Sequence, residues 1–254
     1  MDDFENAIRQ EFLNCATNTI IRLKKEPTKM PFHEALMSKE AIFWSRFERS
    51  FSTSFGQSVI ERISALLARA TNAENVTPQK DTIVEVDNSL YSAISQHIEA
   101  LREKGTGAVA DWHKEIDHLR SLPPSGSKVT VRVRSDLYYE RNGTPHFFSI
   151  KTVKPNIDQT AAAKKDLLLL KTANLDCKPY FALYYNPFGE ERENYSWSPP
   201  KKIFNFHTDE CVLIGKDYWD TIGGNGSYED ILNIARSIGP EVQKLIEQYG
   251  LDNL

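Results

Sequence analysis

Asp136, Ser149 and Lys151 are residues whose types and spacing could do chemistry together. The stretch SDLYYERNGTPHFFSIKT, residues 135–152, carries a lysine where a returning strand should stay apolar. Asn142-Gly143, in its middle, is the strongest short hairpin signal, since a two-residue turn of that kind needs positive φ at both positions. With that turn, Arg141 pairs with Thr144 and Asp136 lies directly opposite Ser149, with Cβ atoms about 4.5–5.5 Å apart. Lys151 shares that face, one diagonal step from Asp136, while Leu137, Tyr139, Phe148 and Ile150 point the other way, into the core. A slip of one residue would exchange the two faces.

An aspartate and a lysine converging on one spot suit phosphodiester hydrolysis. A carboxylate can hold Mg²⁺, which activates a water and stabilises charge on phosphoryl oxygens. A lysine beside it can orient or deprotonate that water and neutralise the transition state. The Ile150 carbonyl, between Ser149 and Lys151, offers a further oxygen. The plain alternative is a solvated hairpin with a loose Asp–Lys contact, and three features weigh against it. Arg134 would face Lys151 across the strands, an arrangement that an anion or metal-bound carboxylates would relieve. The next helix, TVKPNIDQTAAAKKDLLLLK, brings Lys154 and a helix N-terminus, which attracts phosphate, and its Ala161-Ala162-Ala163 permits close approach of backbone or DNA. Glu61, in TSFGQSVIERI, is an acid at the edge of an apolar helix face that includes Ile60 and Ile63, placed to point at the sheet.

The elements that must hold these residues follow from periodicity. Helices are predicted over residues 2–24, 33–50, 57–70, 88–104 and 108–122, the third opened by a Ser/Thr cluster that looks like a cap. From Lys128 the pattern turns to β-branched alternation: KVTVRVRSDLYYE, then PHFFSIKT as the returning strand. A helix over 157–173, a strand at PYFALYY, a loop over 186–200, a strand at CVLIG and C-terminal helices over 227–249 complete the chain. The predicted fold is α/β, a small mixed sheet flanked by helices with a largely helical N-terminal part.

The hairpin, with Asp136 and Ser149-x-Lys151, looks like a variant of the PD-(D/E)XK nuclease motif. The longer string FFSIKTVKPNIDQT, with TSFGQSVIERI upstream and GKDYWDTIGG late in the chain, resembles type II restriction endonucleases of the TdeIII type. The resemblance implies a restriction-endonuclease-like core in a single nuclease domain over 1–254. Residues 1–125 would be its helical part, carrying Glu61 and dimer contacts, and 126–254 its catalytic sheet and C-terminal helices. It implies a Mg²⁺-dependent enzyme that cuts double-stranded DNA at a short palindrome as a homodimer, with a cognate DNA methyltransferase in the same system. Position by position, Asp136 is the metal-binding acid, Lys151 the catalytic lysine and Glu61 the extra acid from an N-terminal helix. Ser135 stands where the motif has proline, and Ser149 where it has its second acid. A serine can contribute only through its hydroxyl or a bound water, so Glu61 is the candidate for the missing carboxylate and Asp158 the reserve. Expected DNA contacts are Lys154, Asn156, Arg134, Lys164, Lys165, Lys201 and Lys202, the last two following Trp197 in a loop.

Charge and composition agree with an anionic partner held at one place. The 254 residues carry a net charge of −4, yet residues 128–178 hold ten Lys/Arg against five Asp/Glu. Three distant cysteines, Cys15, Cys177 and Cys211, read as buried hydrophobes and suit a cytoplasmic setting. With no signal pattern or membrane-length apolar run, a soluble protein is expected. His113, Asp117 and His118 read as a polar helix face and the 223–227 glycines as a loop; Tyr184, Tyr185, Tyr195 and Trp197 could stack on bases, though the strand tyrosines Tyr184 and Tyr185 read mostly as packing. Two other functions fit the same residues: a repair or structure-specific nuclease without a fixed site, and a DNA-binding module whose metal site has decayed at Ser149.

Overall fold

A computed structural model describes residues 2–25, 28–103 and 105–253. One five-stranded sheet runs in the order β1 (Glu74–Asp87), β2 (Lys128–Arg141), β3 (Thr144–Lys151), β4 (Lys178–Leu183), β5 (Val212–Ile214). β1 pairs with β2, and β2 with β3, in antiparallel fashion, while β4 and β5 extend the sheet in parallel from β3.

Helices cover both faces. On one lie α5 (Asn88–Arg102), α6 (Trp112–Ser121), α7 (Ile157–Ala173) and α8 (Ser198–Ile203), around a core of Val84, Val86, Val133, Tyr138, Phe147 and Phe181 with Leu167 to Leu170. On the other lie α1 (Asp2–Lys25), α4 (Ile60–Ala70), α9 (Lys216–Gly223) and α10 (Ser227–Asn253). Their core holds Ile60 and Ile63 against Leu137, Tyr139, Phe148 and Ile150, the four residues that alternation aims there. The mixed sheet between two helical layers is the α/β core expected from the sequence.

The hairpin turn has φ 51° at Asn142 and 71° at Gly143, and Arg141 pairs with Thr144 as the turn dictates. Elsewhere the chain departs from the sequence pattern. α2 (Pro31–Leu36) and α3 (Lys39–Ser54) are separate helices, because the Ser38 side chain accepts the Ala41 N–H and starts a new one. The Ser/Thr cluster at 52–58 does not cap anything. α3 runs into α4 through one π-helical turn, Phe55–Val59, and the hydroxyls of Thr53 and Ser58 donate back to the carbonyls of Arg49 and Ser54. β1 carries no expectation from the sequence, since Pro78 and its polar neighbours resemble a loop. At the edge of a sheet, a proline costs no ladder bond on the open side. The strand lies within the otherwise helical first 125 residues and joins them to the sheet.

Arg141 locks the hairpin end in place. Its guanidinium donates to the carbonyls of Thr221 (3.1 Å) and Ile222 (2.6 Å) and to the Thr71 hydroxyl (2.9 Å), tying β2 to α9 and the end of α4. Replacing Arg141 with Met is expected to lower unfolding free energy by about 2–3 kcal/mol, read as a shifted urea midpoint with unchanged slope.

Candidate active site at the fork of β2 and β3

The β2–β3 ladder ends at Leu137 opposite Phe148, and beyond it β2 stays paired with β1 alone. Asp136 is the first residue past the ladder. Its Oδ2 accepts the Ile150 N–H at 2.7 Å and the Lys151 ammonium at 3.1 Å. The same ammonium donates to the Ile150 carbonyl at 3.2 Å. Asp136 and Lys151 therefore meet as expected, but through a fork. The pairing that would set Asp136 against Ser149 is not formed, and Ser149 is buried in register with Phe181 of β4. Arg134 does not face Lys151 either, because β3 has diverged; its cross-strand partner is Asp81 of β1.

Glu61 reaches the fork from the first turn of α4. The preceding π turn comes close to the end of β3: a Cβ on Gly56 would stand 3.4 Å from the Tyr184 hydroxyl and 3.5 Å from the Thr152 methyl. Between Glu61 and Asp136 lies Gln79 of β1, whose Nε2 donates to Glu61 Oε2 at 2.5 Å and to Asp136 Oδ1 at 3.4 Å. Its Oε1 accepts Arg134 Nε at 2.8 Å. Burial, with the charge of Asp136, pushes the Glu61 carboxyl up to about 7, against the pull of Gln79, Lys151 and Arg62. Asp166, on α7, feels both Asp136 and Lys151, and burial raises it to about 6. Neither Gln79 nor Asp166 stands out in the sequence; the one trace is an acid interrupting the apolar run of α7 at Asp166.

Among the described residues, no three His, Cys, Asp or Glu side chains gather as a metal cluster. Two carboxylates and the Ile150 carbonyl nonetheless fit Mg²⁺, which keeps several waters and takes substrate phosphate oxygens as its other ligands. A cation there would also supply the positive charge that the raised Glu61 carboxyl lacks.

The expected DNA contacts divide. Lys154 lies over the rings of Phe188 (5.3 Å) and Trp197 (5.8 Å). Its loop is held by Tyr195, whose hydroxyl donates to the Val153 carbonyl, and by Trp197, whose indole donates to that of Pro155. Asn156 caps α7 in a reciprocal capping box with Gln159, so a well-formed helix N-terminus opens beside this loop. Lys201 and Lys202 are exposed on α8, and Lys165 sits over the Tyr91 ring at 4.4 Å. Lys164 is elsewhere altogether. It is fully buried, 2.5 Å from Glu115 and 3.6 Å from Asp209, because α7 is enclosed by the sheet and by α5, α6 and α8. Ala161 and Ala163 are likewise buried, so their small size serves packing of α7. Asp158, the reserve acid, is exposed and pairs with Arg102 at 2.5 Å. His113, Asp117 and His118 form an exposed face of α6.

A mixed sheet between helical layers, with an acid and a lysine where two strands part, is a restriction-endonuclease-like core. The family model described as "Type II restriction endonuclease, HinfI" matches residues 1–239. The chain belongs to the HinfI family of type II restriction endonucleases, hydrolases of restriction systems that cut DNA at specific sites. It is similar to Type II restriction enzymes HgiEI and HgiBI of Herpetosiphon aurantiacus, each 31% identical over 224 residues, covering 85% of this chain and 80% of the relative. Type II restriction enzyme MjaII of Methanocaldococcus jannaschii is 25% identical over 244 residues, 86% of this chain and 64% of that protein. The resemblance read from the sequence holds at the level of type II restriction endonucleases, and the family carries the HinfI name where TdeIII was expected. Among the described residues no helix is long and apolar enough to cross a membrane.

Two measurements follow from the electrostatics. Lys164→Met leaves Glu115 and Asp209 buried without their cation, and should cost about 3–5 kcal/mol in urea unfolding. A carboxyl raised in the folded state keeps a proton that the unfolded chain releases, so the Glu61 contribution to stability declines as pH climbs from 4.5 to about 7. Glu61→Gln should therefore match wild type below pH 4.5 and, without added metal, be more stable by about 1–2 kcal/mol above pH 7, allowing for solvent screening of a half-exposed group. Thermal melts across that range check the sign.

Proposed function

We propose that the protein is a Mg²⁺-dependent endonuclease that cuts both strands of double-stranded DNA at a specific short palindrome. The observation that carries this reading is the fork: Asp136 bound to the Ile150 N–H and the Lys151 ammonium, with Glu61 one amide away. Asp136, Glu61 and the Ile150 carbonyl would hold the cation, with Ser149 contributing at most through a water. When bound, Mg²⁺ polarises the phosphoryl oxygen and lowers the pKa of a bound water. Lys151 orients the attacking water and offsets charge on the phosphorane-like transition state, since its ammonium is already held beside Asp136. Backbone phosphates lie along the N-terminus of α7 and Lys154, which the aromatic rings of Phe188 and Trp197 hold in place. Arg134, Lys165, Lys201 and Lys202 extend the basic surface, and Asn156 acts through the cap it forms.

A palindrome favours a two-fold dimer. Phe32 and Leu36 on α2 are 82% and 85% exposed, and Met37 and Trp44 are exposed beside them in sequence. These residues support placing the contact between protomers on the N-terminal helices. A cognate methyltransferase protecting the same site belongs to this reading.

Digestion of unmethylated phage-length DNA with Mg²⁺ tests it. Wild type should give discrete bands, and Asp136→Ala and Lys151→Ala should lose on the order of 10²–10⁴-fold in rate. Glu61→Ala should fall with them if it supplies the missing acid. A smear would point instead to a repair-type nuclease, and intact DNA that is nevertheless bound would leave a binding module.

A further inference from the structure

Gln79 stands in β1 between Pro78, paired with Leu137, and Lys80, paired with Ser135, which puts it across the ladder from Asp136. Its backbone is left-handed, with φ 52°. Among the described residues, the other non-glycine residues with positive φ are Asn72, Asn75 and Asn142, and asparagine tolerates that region through its short polar side chain. Glutamine has no such aptitude, so the conformation is kept by something outside the residue.

The side chain shows what holds it. Both ends of the amide are engaged: Oε1 accepts from the Arg134 guanidinium, and Nε2 donates toward Glu61 and Asp136. The guanidinium fixes which end faces the acids, because only an oxygen can accept from it. A neutral donor thus lies between two carboxylates that would otherwise repel one another. A divalent cation shared by those carboxylates needs the same space, and an amide nitrogen bearing two hydrogens cannot ligate it.

We infer that Gln79 is a positioning residue that keeps the cation's place between Glu61 and Asp136 and must withdraw for it, with Arg134 setting how firmly it is held. This rests on the reading that Asp136 and Glu61 bind a divalent cation. Arg134 is exposed, so an anion such as a DNA phosphate can compete for its guanidinium and loosen the amide. Cation loading is then easier on DNA than off it.

The test is calorimetric titration of Ca²⁺ into the full chain without DNA, for wild type, Gln79→Gly, Gln79→Ala, Arg134→Ala and Asp136→Ala, with a thermal melt of each. Gln79→Gly removes the amide while accepting the left-handed backbone, which keeps the test valid if the alanine variant folds poorly. Both Gln79 variants should bind Ca²⁺ about tenfold more tightly than wild type, the factor expected from no longer breaking a charge-assisted hydrogen bond. Arg134→Ala should shift affinity the same way by less. A structural defect alone would weaken binding, so tighter binding by a variant of equal or lower melting temperature supports the proposal. Weaker binding would mean that the amide supports the site, as a ligand or structurally, and unchanged binding would make it a bystander; either overturns the proposal. Wild-type affinity in Asp136→Ala would instead sink the cation site itself, and this inference with it.

Discussion

The Asp136 carboxylate takes the place of a strand. Where β2 and β3 part after Leu137 and Phe148, the Ile150 N–H loses the backbone carbonyl that continued pairing would supply, and Asp136 accepts it instead. A buried N–H without a partner is costly, and a carboxylate satisfies it with a charge-assisted bond. That one substitution lets β2 run on with β1 while β3 ends at Lys151 and the chain turns toward α7. Lys151, the Ile150 carbonyl and the N-terminus of α7 then lie within a few residues of one another along the chain. The alternation breaks at the same place: the residues of β2 that reach the core with α7 are Val133 and then Tyr138, an odd spacing. The fork is thus a feature of the backbone as much as of the side chain.

Its electrostatics are left unbalanced. Asp136, Glu61 and Asp166 act on Lys151, and two of the three acids are pushed up by burial. A fold selected for stability alone would pair or remove such groups, whereas a centre that must take up a cation keeps them under-compensated. Gln79 reduces the imbalance without cancelling it, since an amide brings hydrogens and no net charge.

How much of this could be read in advance depends on whether local chemistry fixed the outcome. Asn142-Gly143 determines the turn, the turn determines the register, and so Asp136, Lys151 and the core-facing Leu137, Tyr139, Phe148 and Ile150 were legible. Glu61 was legible because an acid on an apolar helix edge has few other uses. The fork was not, because nothing local says where a ladder stops. β1 was hidden by Pro78 and by polar residues that an edge strand tolerates, and Gln79 went with it. Lys164 was misplaced because a lysine on a helix following the motif looks solvent-facing until its face of the helix proves to be packed against the rest of the fold.

Lys164 also shows what separates a structural charge cluster from a chemical one. Glu115 and Asp209 are among the most buried acids of the described residues, yet both are paired with the Lys164 ammonium. Glu115 meets His97 at 2.9 Å as well as Lys164, and Asp209 accepts the backbone N–H groups of Trp112 and Asn205, each at 2.9 Å. Burial alone would raise the Glu115 carboxyl, but His97 and Lys164 more than offset it and hold it below the usual range. Glu61, less buried and bonded to an amide, moves in the opposite direction, to about 7. The two sites share residue types and differ in charge balance: one is closed around its own cation, the other open at a sheet fork and short of positive charge. That shortage, rather than the presence of acids and a lysine, is what the proposal of a cation and phosphate site at the fork rests on.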